Sequence, residues 1–266
     1  MAAFMSRGVL FALLVLLVEL SQGSRVGAAE RLGIVLIHGK GGLPQQLNSM
    51  AESLTAQGYL TEQPEMCWSR SRIYDQTYQN CLRDIDAAAE RLRSRGATGV
   101  ALLGMSLGGN AALAYGATRQ GLKAVITLVP GHAPEFLGRR PEIAQSLQRA
   151  HALIAAGQGD VRTVFADVNT RTSSFNFSVT TTPNIYVSFF APDSLAAMPV
   201  NAARLTAPLL YIAATNDPTQ RGPAYIFAHA SENPHNRYVT VNSDHIGTPA
   251  VSLQIVLGWL KSLIGP

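Results

Sequence analysis

Short apolar runs alternate with segments of helical periodicity along most of this chain, and this alternation limits its fold more than any other feature. Runs such as 31–39 (RLGIVLIHG) and 98–104 (TGVALLG) are continuously hydrophobic, which is typical of strands buried on both faces of a parallel sheet. Segment 76–96 carries its apolar residues at the spacing of one helix face and ends at a glycine. Strands that alternate with helices indicate a doubly wound, mostly parallel α/β sheet.

The alternation continues to the end of the chain with one interruption. Segment 158–204 is rich in Ser, Thr, Pro and aromatic residues and has no clear period, so we interpret it as irregular structure, either a small lid or a pocket wall. A length of 266 residues fits one such domain, over residues 30–266. The remaining predicted strands are 122–131, 207–217 and 236–245, and the remaining predicted helices are 45–59, 107–119, 140–157, 222–230 and 249–264.

Residues 1–29 have the three parts of a secretory signal peptide. Arg7 precedes an apolar run over 8–20, and small residues lead to a cleavage point near Ala28 or Ala29. The run is shorter than the roughly 20 apolar residues that a membrane-spanning helix needs. We therefore expect an exported, periplasmic or secreted protein without stable membrane insertion after cleavage; an uncleaved anchor is the alternative.

Charge and cysteine content argue against nucleic acid as a partner and against a metal site. Removing Arg7, Arg25 and Glu19 with the leader changes the formal net charge from +4 to +3, and the basic residues are scattered, so nucleic acid is not an expected partner. Cys67 and Cys81 are the only cysteines; in an exported chain a disulfide between them is favoured over free thiols. They lack the spacing of a metal site, and neither a metal nor another cofactor is expected.

The stretch GVALLGMSLGGNAALAY, residues 99–115, contains a Gly-x-Ser-x-Gly motif centred on Ser106. The motif alone occurs easily by chance in a glycine-rich chain. Its setting is informative, because Ser106 follows a predicted buried strand and opens a predicted helix, as a nucleophile elbow requires. The alternative is that its glycines only break the strand from the helix.

A serine hydroxyl needs a general base and an orienting carboxylate to act as a nucleophile. Asp217 and His245 end the last two predicted strands and follow Ser106 in the order Ser, Asp, His. Because the carboxyl ends of parallel strands share one edge of the sheet, all three are expected to meet there. Asp193 is the main rival for the acid, and Asp244 is a weaker one because it directly precedes His245 in sequence.

These residues resemble those of the α/β-hydrolase superfamily of serine hydrolases over residues 32–262. The likeness is greatest to small, single-domain bacterial esterases of the dienelactone-hydrolase kind, although this chain differs from them in its exported leader and in having Ser106 where they usually carry cysteine. The resemblance implies Ser106 as nucleophile, His245 as base and Asp217 as acid. It also implies that His38 organises the glycine-rich loop 38–42 and that the backbone N–H of Lys40 belongs to the oxyanion hole.

The remaining site residues are predicted from their positions at strand ends. The backbone N–H of Leu107, directly after the nucleophile, is expected to be the second oxyanion donor. The Lys40 side chain has two interpretations: it points to solvent, or it meets a carboxylate or phosphate of the substrate. Gly39, His132 and Trp68 are candidate substrate-binding residues, with ordinary core packing as the alternative for Trp68. His151 and His229 lie in predicted helices and are expected to have packing or surface roles.

The sequence therefore predicts a carboxylesterase-like serine hydrolase that forms an acyl-enzyme on a small-molecule ester. The same triad would also serve a peptidase, a thioesterase or an acyltransferase. The alternative from another class is a catalytically silent hydrolase-like binding protein of the cell envelope. Neither the physiological substrate nor the oligomeric state follows from the sequence.

Overall fold

The computed structural model describes residues 31–168 and 177–264, which form one α/β domain. The predicted signal peptide over residues 1–29 lies outside the described residues, as does segment 169–176 of the region interpreted as irregular.

The part of the chain that the structure describes contains eight strands and eight α-helices. The strands are β1 (Leu32–Ile37), β2 (Leu60–Glu62), β3 (Gly99–Met105), β4 (Leu122–Leu128), β5 (Thr163–Asp167), β6 (Phe177–Thr181), β7 (Leu209–Ala214) and β8 (Arg237–Val241). The helices are α1 (Asn48–Ala56), α2 (Tyr78–Ser94), α3 (Leu107–Thr118), α4 (Pro134–Leu137), α5 (Pro141–Ala155), α6 (Pro183–Phe190), α7 (Met198–Arg204) and α8 (Thr248–Ile264). Short 3-10 helices cover Pro44–Leu47 and Phe227–His229.

Six of the strands form one parallel sheet in the order β2-β1-β3-β4-β7-β8. Every residue of β1, β3 and β7 is buried, which explains why these runs are hydrophobic without alternation. Within β1, Ile34 and Leu36 pack into the core on the side of α1 and α8, whereas Val35 and Ile37 pack into the core on the side of α2 and α3. The predicted doubly wound, mostly parallel α/β sheet is confirmed.

Segment 158–204 differs from the prediction, because its described part is regular. Strands β5 and β6 form an antiparallel hairpin, and α6 and α7 follow it. These elements have five to eight residues each, too few for a period to be recognised in the sequence. The hairpin and α6 lie in the chain between β4 and β7, outside the six-stranded sheet.

The predicted helix over 222–230 is also wrong. The structure has turns there and only the three-residue 3-10 helix at Phe227–His229. A nine-residue helix needs an apolar face packed on the core to offset the cost of nucleation. In this segment only Ile226 is buried, so that stabilisation is missing.

The sheet brings the candidate site residues to one edge. Since all six strands run parallel, the loops after β1, β3, β7 and β8 leave at the same edge of the sheet. His38, Ser106, Asp217 and His245 lie in or near the starts of these four loops. The chain runs outward from β1 to β2 and then returns to β3, so the strand order reverses between the loops that carry His38 and Ser106.

Candidate active site

Ser106 lies on a sharp turn between β3 and α3. Its backbone has φ 56° and ψ −121°, a left-handed conformation that is uncommon for any residue other than glycine. The turn is held by backbone hydrogen bonds: the N–H of Ser106 donates to the Leu128 carbonyl at 2.9 Å, and its carbonyl accepts from Gly131 and Asn110 at 3.1 Å each. The strain at Ser106 is thus maintained by β4 and the first turn of α3.

The glycines around Ser106 allow its turn to approach the sheet. A Cβ on Gly104 would lie 2.1 Å from the carbonyl oxygen of Gly108, and a Cβ on Gly108 would lie 2.2 Å from the carbonyl oxygen of Ile37. Both contacts are with backbone atoms, which cannot rotate away as a flexible side chain can. The Gly-x-Ser-x-Gly pattern is therefore a steric requirement of this strand–turn–helix connection.

Asp217 and His245 form the second part of the site. Nδ1 of His245 lies 2.6 Å from Oδ2 of Asp217, whose carboxylate is buried. Oδ1 of Asp217 accepts from the backbone N–H and the hydroxyl of Thr219, at 2.9 and 2.8 Å. Burial acts to raise the pKa of Asp217, but hydrogen bonds from His245 and Thr219 outweigh it and hold the pKa below its usual value.

The rival acids lie elsewhere. Asp193 is exposed in the segment that follows α6, and Asp244 is exposed and accepts a hydrogen bond from the backbone N–H of Gly247 at 2.6 Å. Of the three candidate carboxylates, it is Asp217 that contacts His245.

A cavity of about 110 Å³ joins most of the predicted site residues. Its wall includes Gly39, Lys40, Ser106, Leu107, His132 and His245. A cavity of about 380 Å³ adjoins it at Lys40 and Gly41, and another of about 360 Å³ adjoins it at Gln46, Met105 and Ile246. The space beside Ser106 is therefore narrow, with wider spaces on two sides.

Lys40 and Leu107, whose N–H groups are the predicted oxyanion donors, line this cavity together with Ser106. Leu107 is the first residue of α3, and the first N–H groups of a helix have no acceptor within it. In the opposite loop, a Cβ on Gly39 would lie 3.3 Å from the Cβ of Ser106, so this loop passes close to the serine. The N–H of Gly39 itself donates to Oε1 of Gln46 at 2.9 Å.

The Lys40 side chain has a partner that the sequence did not predict. Its ammonium lies 2.7 Å from Oδ1 of Asp167, at the end of β5, and donates to the Val168 carbonyl at 2.6 Å. The side chain is 20% exposed, so it is largely withdrawn from solvent. No signal in the sequence pointed to Asp167, which lies 127 residues away in the segment interpreted as irregular.

His38 organises the loop, as the resemblance implies. Its Nδ1 lies 2.8 Å from the Gly39 carbonyl, and its Nε2 accepts from the backbone N–H of Met66 at 3.0 Å. Burial lowers the pKa of His38, which favours the neutral ring with a proton on Nδ1. His38 therefore ties the end of β1 to the segment that precedes Trp68.

His132 lies at the end of the loop after β4, with φ 63°. Its Nε2 lies 2.8 Å from the carbonyl of Phe189 in α6, and its own carbonyl accepts from the side-chain amide of Asn110 at 2.7 Å. Burial lowers the pKa of His132 to about 4, so the ring is neutral at neutral pH and donates from Nε2. Gly131, directly before it, also approaches the serine: a Cβ there would lie 3.3 Å from Oγ of Ser106.

Trp68 is 1% exposed, and its indole N–H donates to the His38 carbonyl at 3.1 Å. It lies in the wall of the cavity of about 380 Å³ rather than beside Ser106, so a contact between Trp68 and substrate remains a prediction. The adjacent Cys67 forms the predicted disulfide with Cys81 of α2. This bond joins the loop that carries Trp68 to the helix after it.

Within residues 31–168 and 177–264, the structure places no cluster of three or more His, Cys, Asp or Glu side chains suited to a metal ion. Over the same ranges, no helix combines the length and the hydropathy needed to cross a bilayer.

The fold is matched by known proteins. Solved structures with a similar fold include a monoacylglycerol lipase from Paleococcus ferrophilus, with a TM-score of 0.64, 18% identity and coverage of 89% of this chain and 96% of that one. Est1E from Butyrivibrio proteoclasticus, with bound ferulic acid, has a TM-score of 0.59, 16% identity and coverage of 90% and 92%. One of the metagenome-derived lipolytic enzymes LipS and LipT has a TM-score of 0.60, 19% identity and coverage of 88% and 95%.

Comparison with curated protein sequences found no match. The sequence profile of the alpha/beta hydrolase family, in contrast, matches residues 34–252, from β1 into α8. That range contains every residue of the site described above, and we conclude that this chain belongs to the alpha/beta hydrolase family.

Proposed function

We propose that this protein is a serine hydrolase that cleaves carboxylic esters through an acyl-enzyme on Ser106. One observation carries the proposal: the strained Ser106 faces a cavity that it shares with His245, whose Nδ1 lies 2.6 Å from the buried carboxylate of Asp217. Lipolytic and esterase structures among the similar folds are consistent with this chemistry.

In the proposed mechanism, Nε2 of His245 takes the hydroxyl proton of Ser106 as Oγ attacks the ester carbonyl. Asp217 accepts a hydrogen bond from Nδ1–H of His245 and stabilises the imidazolium that forms. The backbone N–H groups of Lys40 and Leu107 donate to the oxyanion of the tetrahedral intermediate. The imidazolium then protonates the leaving alcohol, and a water molecule deprotonated by His245 releases the acid and restores the free serine.

The size of the cavities suggests which esters fit. The cavity beside Ser106, of about 110 Å³, is smaller than the two cavities that adjoin it, of about 380 and 360 Å³, and so favours a small acyl group. The neighbouring cavities of about 380 and 360 Å³ leave more space for the alcohol part. We propose a soluble ester with a short acyl chain as substrate, with Gly39 and His132 beside the acyl group and Trp68 beside the alcohol part.

The disulfide Cys67–Cys81 supports the further proposal that the protein is exported after removal of residues 1–29, since disulfides persist in oxidising compartments. The narrower likeness to small, single-domain esterases of the dienelactone-hydrolase kind is part of the same proposal. Mass spectrometry of the mature N-terminus in an expressing cell would test it. An N-terminus at Met1 would contradict cleavage.

Labelling with a fluorophosphonate tests the central proposal. The folded protein should gain one adduct at neutral pH, mapped to Ser106, and the Ser106→Ala variant should gain none. A panel of p-nitrophenyl esters should show the highest kcat/KM with acetate or butyrate and a decline with longer chains. Folded wild-type protein that neither labels nor hydrolyses any ester of the panel would contradict the proposal and favour a catalytically silent binding protein.

A thioester and a peptide substrate measured beside the ester panel separate the other functions. A higher kcat/KM on either one than on any p-nitrophenyl ester would reassign the enzyme to that class. Transfer of the acyl group to an added alcohol in preference to water would indicate an acyltransferase.

A further inference from the structure

We propose that Asp167 is a positioning residue for the oxyanion hole, because it anchors the side chain of Lys40 and thereby fixes the backbone N–H of Lys40. This inference rests on the proposed function, in which that N–H stabilises the oxyanion. Asp167 belongs to the wall of the cavity of about 380 Å³, but its side chain is fully buried, and its inferred action on the reaction is through Lys40.

The anchor is a short contact between two distant parts of the chain. The Lys40 ammonium lies 2.7 Å from Oδ1 of Asp167 and donates to the carbonyl of Val168 at 2.6 Å. The Asp167 side chain is fully buried, whereas that of Lys40 is 20% exposed. Two of the three ammonium hydrogens are thus engaged by the end of β5.

The carboxylate of Asp167 is itself held in place. The backbone N–H of Val168 donates to Oδ1 at 2.6 Å, and the hydroxyl of the buried Tyr74 lies 3.4 Å from Oδ2. The hydroxyl of Thr181, in β6, donates to the Tyr74 carbonyl at 2.8 Å. The carboxylate that binds Lys40 is thus oriented by Val168 and by Tyr74, which is itself hydrogen-bonded to β6.

The loop that carries Lys40 needs such an anchor. Its sequence from 39 to 42 is Gly-Lys-Gly-Gly, and glycine restricts the backbone least of all residues. Backbone hydrogen bonds from Gly41 to the Trp68 carbonyl, at 2.9 Å, and from Gly42 to the Gly39 carbonyl, at 3.1 Å, hold the loop on either side of Lys40. The side chain of Lys40 adds a third tether, at the residue whose N–H is the proposed oxyanion donor.

Fixing the position of the Lys40 N–H is expected to stabilise the transition state of the reaction. An oxyanion donor acts through its position, and misplacement by about 1 Å can lower a rate by about 100-fold. A buried ion pair is by itself weak evidence for stability, since desolvation offsets much of the attraction between the charges. The inferred role of this ion pair is therefore to position the Lys40 N–H. This role does not require that the pair adds much to the free energy of unfolding.

The test compares Asp167→Asn with Lys40→Met and the double variant. Asp167→Asn keeps the shape of the side chain and one acceptor oxygen but removes the charge. We expect kcat for p-nitrophenyl acetate to fall about tenfold or more, with KM changed by less than about twofold. The second-order rate of fluorophosphonate labelling of Ser106 should fall in parallel. The double variant should be no slower than the slower single variant, because both substitutions break one tether.

Two variants serve as controls. Asp86→Asn removes a carboxylate that pairs with Arg119 at 3.1 Å between α2 and α3, away from the site, and should leave kcat unchanged. Lys40→Arg keeps a cation and should retain more kcat than Lys40→Met. Circular dichroism and thermal melting establish that each variant is folded. If Asp167→Asn does not fold, Lys40→Met and Lys40→Arg carry the test, since Lys40 lies in a partly exposed loop.

The outcomes distinguish this inference from the proposed function. A folded Asp167→Asn or Lys40→Met variant with kcat and labelling rate within about twofold of wild type would overturn the positioning role. A rise in KM with kcat unchanged would also overturn it, because uniform loss of binding indicates a substrate contact. Failure of the proposed function itself would be seen in the wild-type protein, as an absence of both labelling and ester hydrolysis.

Discussion

Nδ1 of His245 lies 2.6 Å from Oδ2 of Asp217, although 28 residues separate them along the chain. The two residues meet because β7 and β8 are parallel neighbours, with Ala214 opposite Val241 at the carboxyl end of the pair. The loops after these strands therefore start side by side. The contact between acid and base is a direct result of strand order.

Asp217→Asn is expected to lower kcat by about 10³- to 10⁴-fold, because an amide at this position can favour the wrong tautomer of His245. The low pKa of Asp217 keeps the wild-type carboxylate charged at neutral pH, which its role as acceptor requires. Kinetics with p-nitrophenyl acetate measure the effect. Asp193→Asn, at the exposed rival carboxylate, is the matched control and should retain wild-type kcat. A large loss of kcat in Asp193→Asn, with wild-type kcat in Asp217→Asn, would instead identify Asp193 as the acid.

Gly104→Ala is expected to destabilise the fold by about 3 kcal/mol or more, because the new Cβ would lie 2.1 Å from the carbonyl oxygen of Gly108. Gly258→Ala is the matched control: it lies within α8, and a Cβ there would meet no neighbouring atom within 4 Å. Gly258→Ala should raise the free energy of unfolding by about 0.5 to 1 kcal/mol, since alanine is the better helix former. Urea unfolding measures both. Equal effects would contradict the steric account of the elbow.

Acid should destabilise the protein through His132. Its pKa is about 4 in the folded protein against 6.5 for a free histidine, so the unfolded chain binds the extra proton between these values. Stability therefore falls as the pH drops from about 6.5 to about 4, by about 3 kcal/mol in total from this residue.

His132→Gln should weaken this pH dependence, because glutamine has no proton to take up. His151→Gln is the control: it removes an exposed histidine of α5 and should leave the pH dependence of stability unchanged. Thermal melting at about pH 7 and about pH 4.5 measures the difference. The idea fails if both variants show the wild-type loss of Tm on acidification.

Reduction of the disulfide Cys67–Cys81 should lower stability by about 3 kcal/mol, as expected for a bond across a sequence separation of 14. Melting with and without dithiothreitol measures the change. The variant Cys67→Ala/Cys81→Ala serves as control: its Tm should be lower than that of the oxidised wild type and insensitive to dithiothreitol. A Tm of the double variant equal to that of the oxidised wild type would show that the bond adds little.

Much of the fold could be predicted because it depends on patterns within short stretches of sequence. The buried strands had to be continuously apolar, and the elbow had to have glycine at 104 and 108, where any side chain would collide with backbone. The motif around Ser106 and the positions of Asp217 and His245 at strand ends made these three residues candidates, since parallel strands share one edge. Gly131 could have been found in the same way, at the end of the predicted strand 122–131.

The sequence by itself thus determined the sheet, the elbow and the set of polar residues at its edge, because each depends on a short stretch of chain. Tertiary structure alone decided the rest. It placed Asp167 against Lys40 across 127 residues, put Trp68 in the core beside the neighbouring cavity, and paired His132 with the Phe189 carbonyl. These contacts depend on how the β5–β6 hairpin and α6 pack, and that packing results from contacts remote in sequence, which no local period encodes.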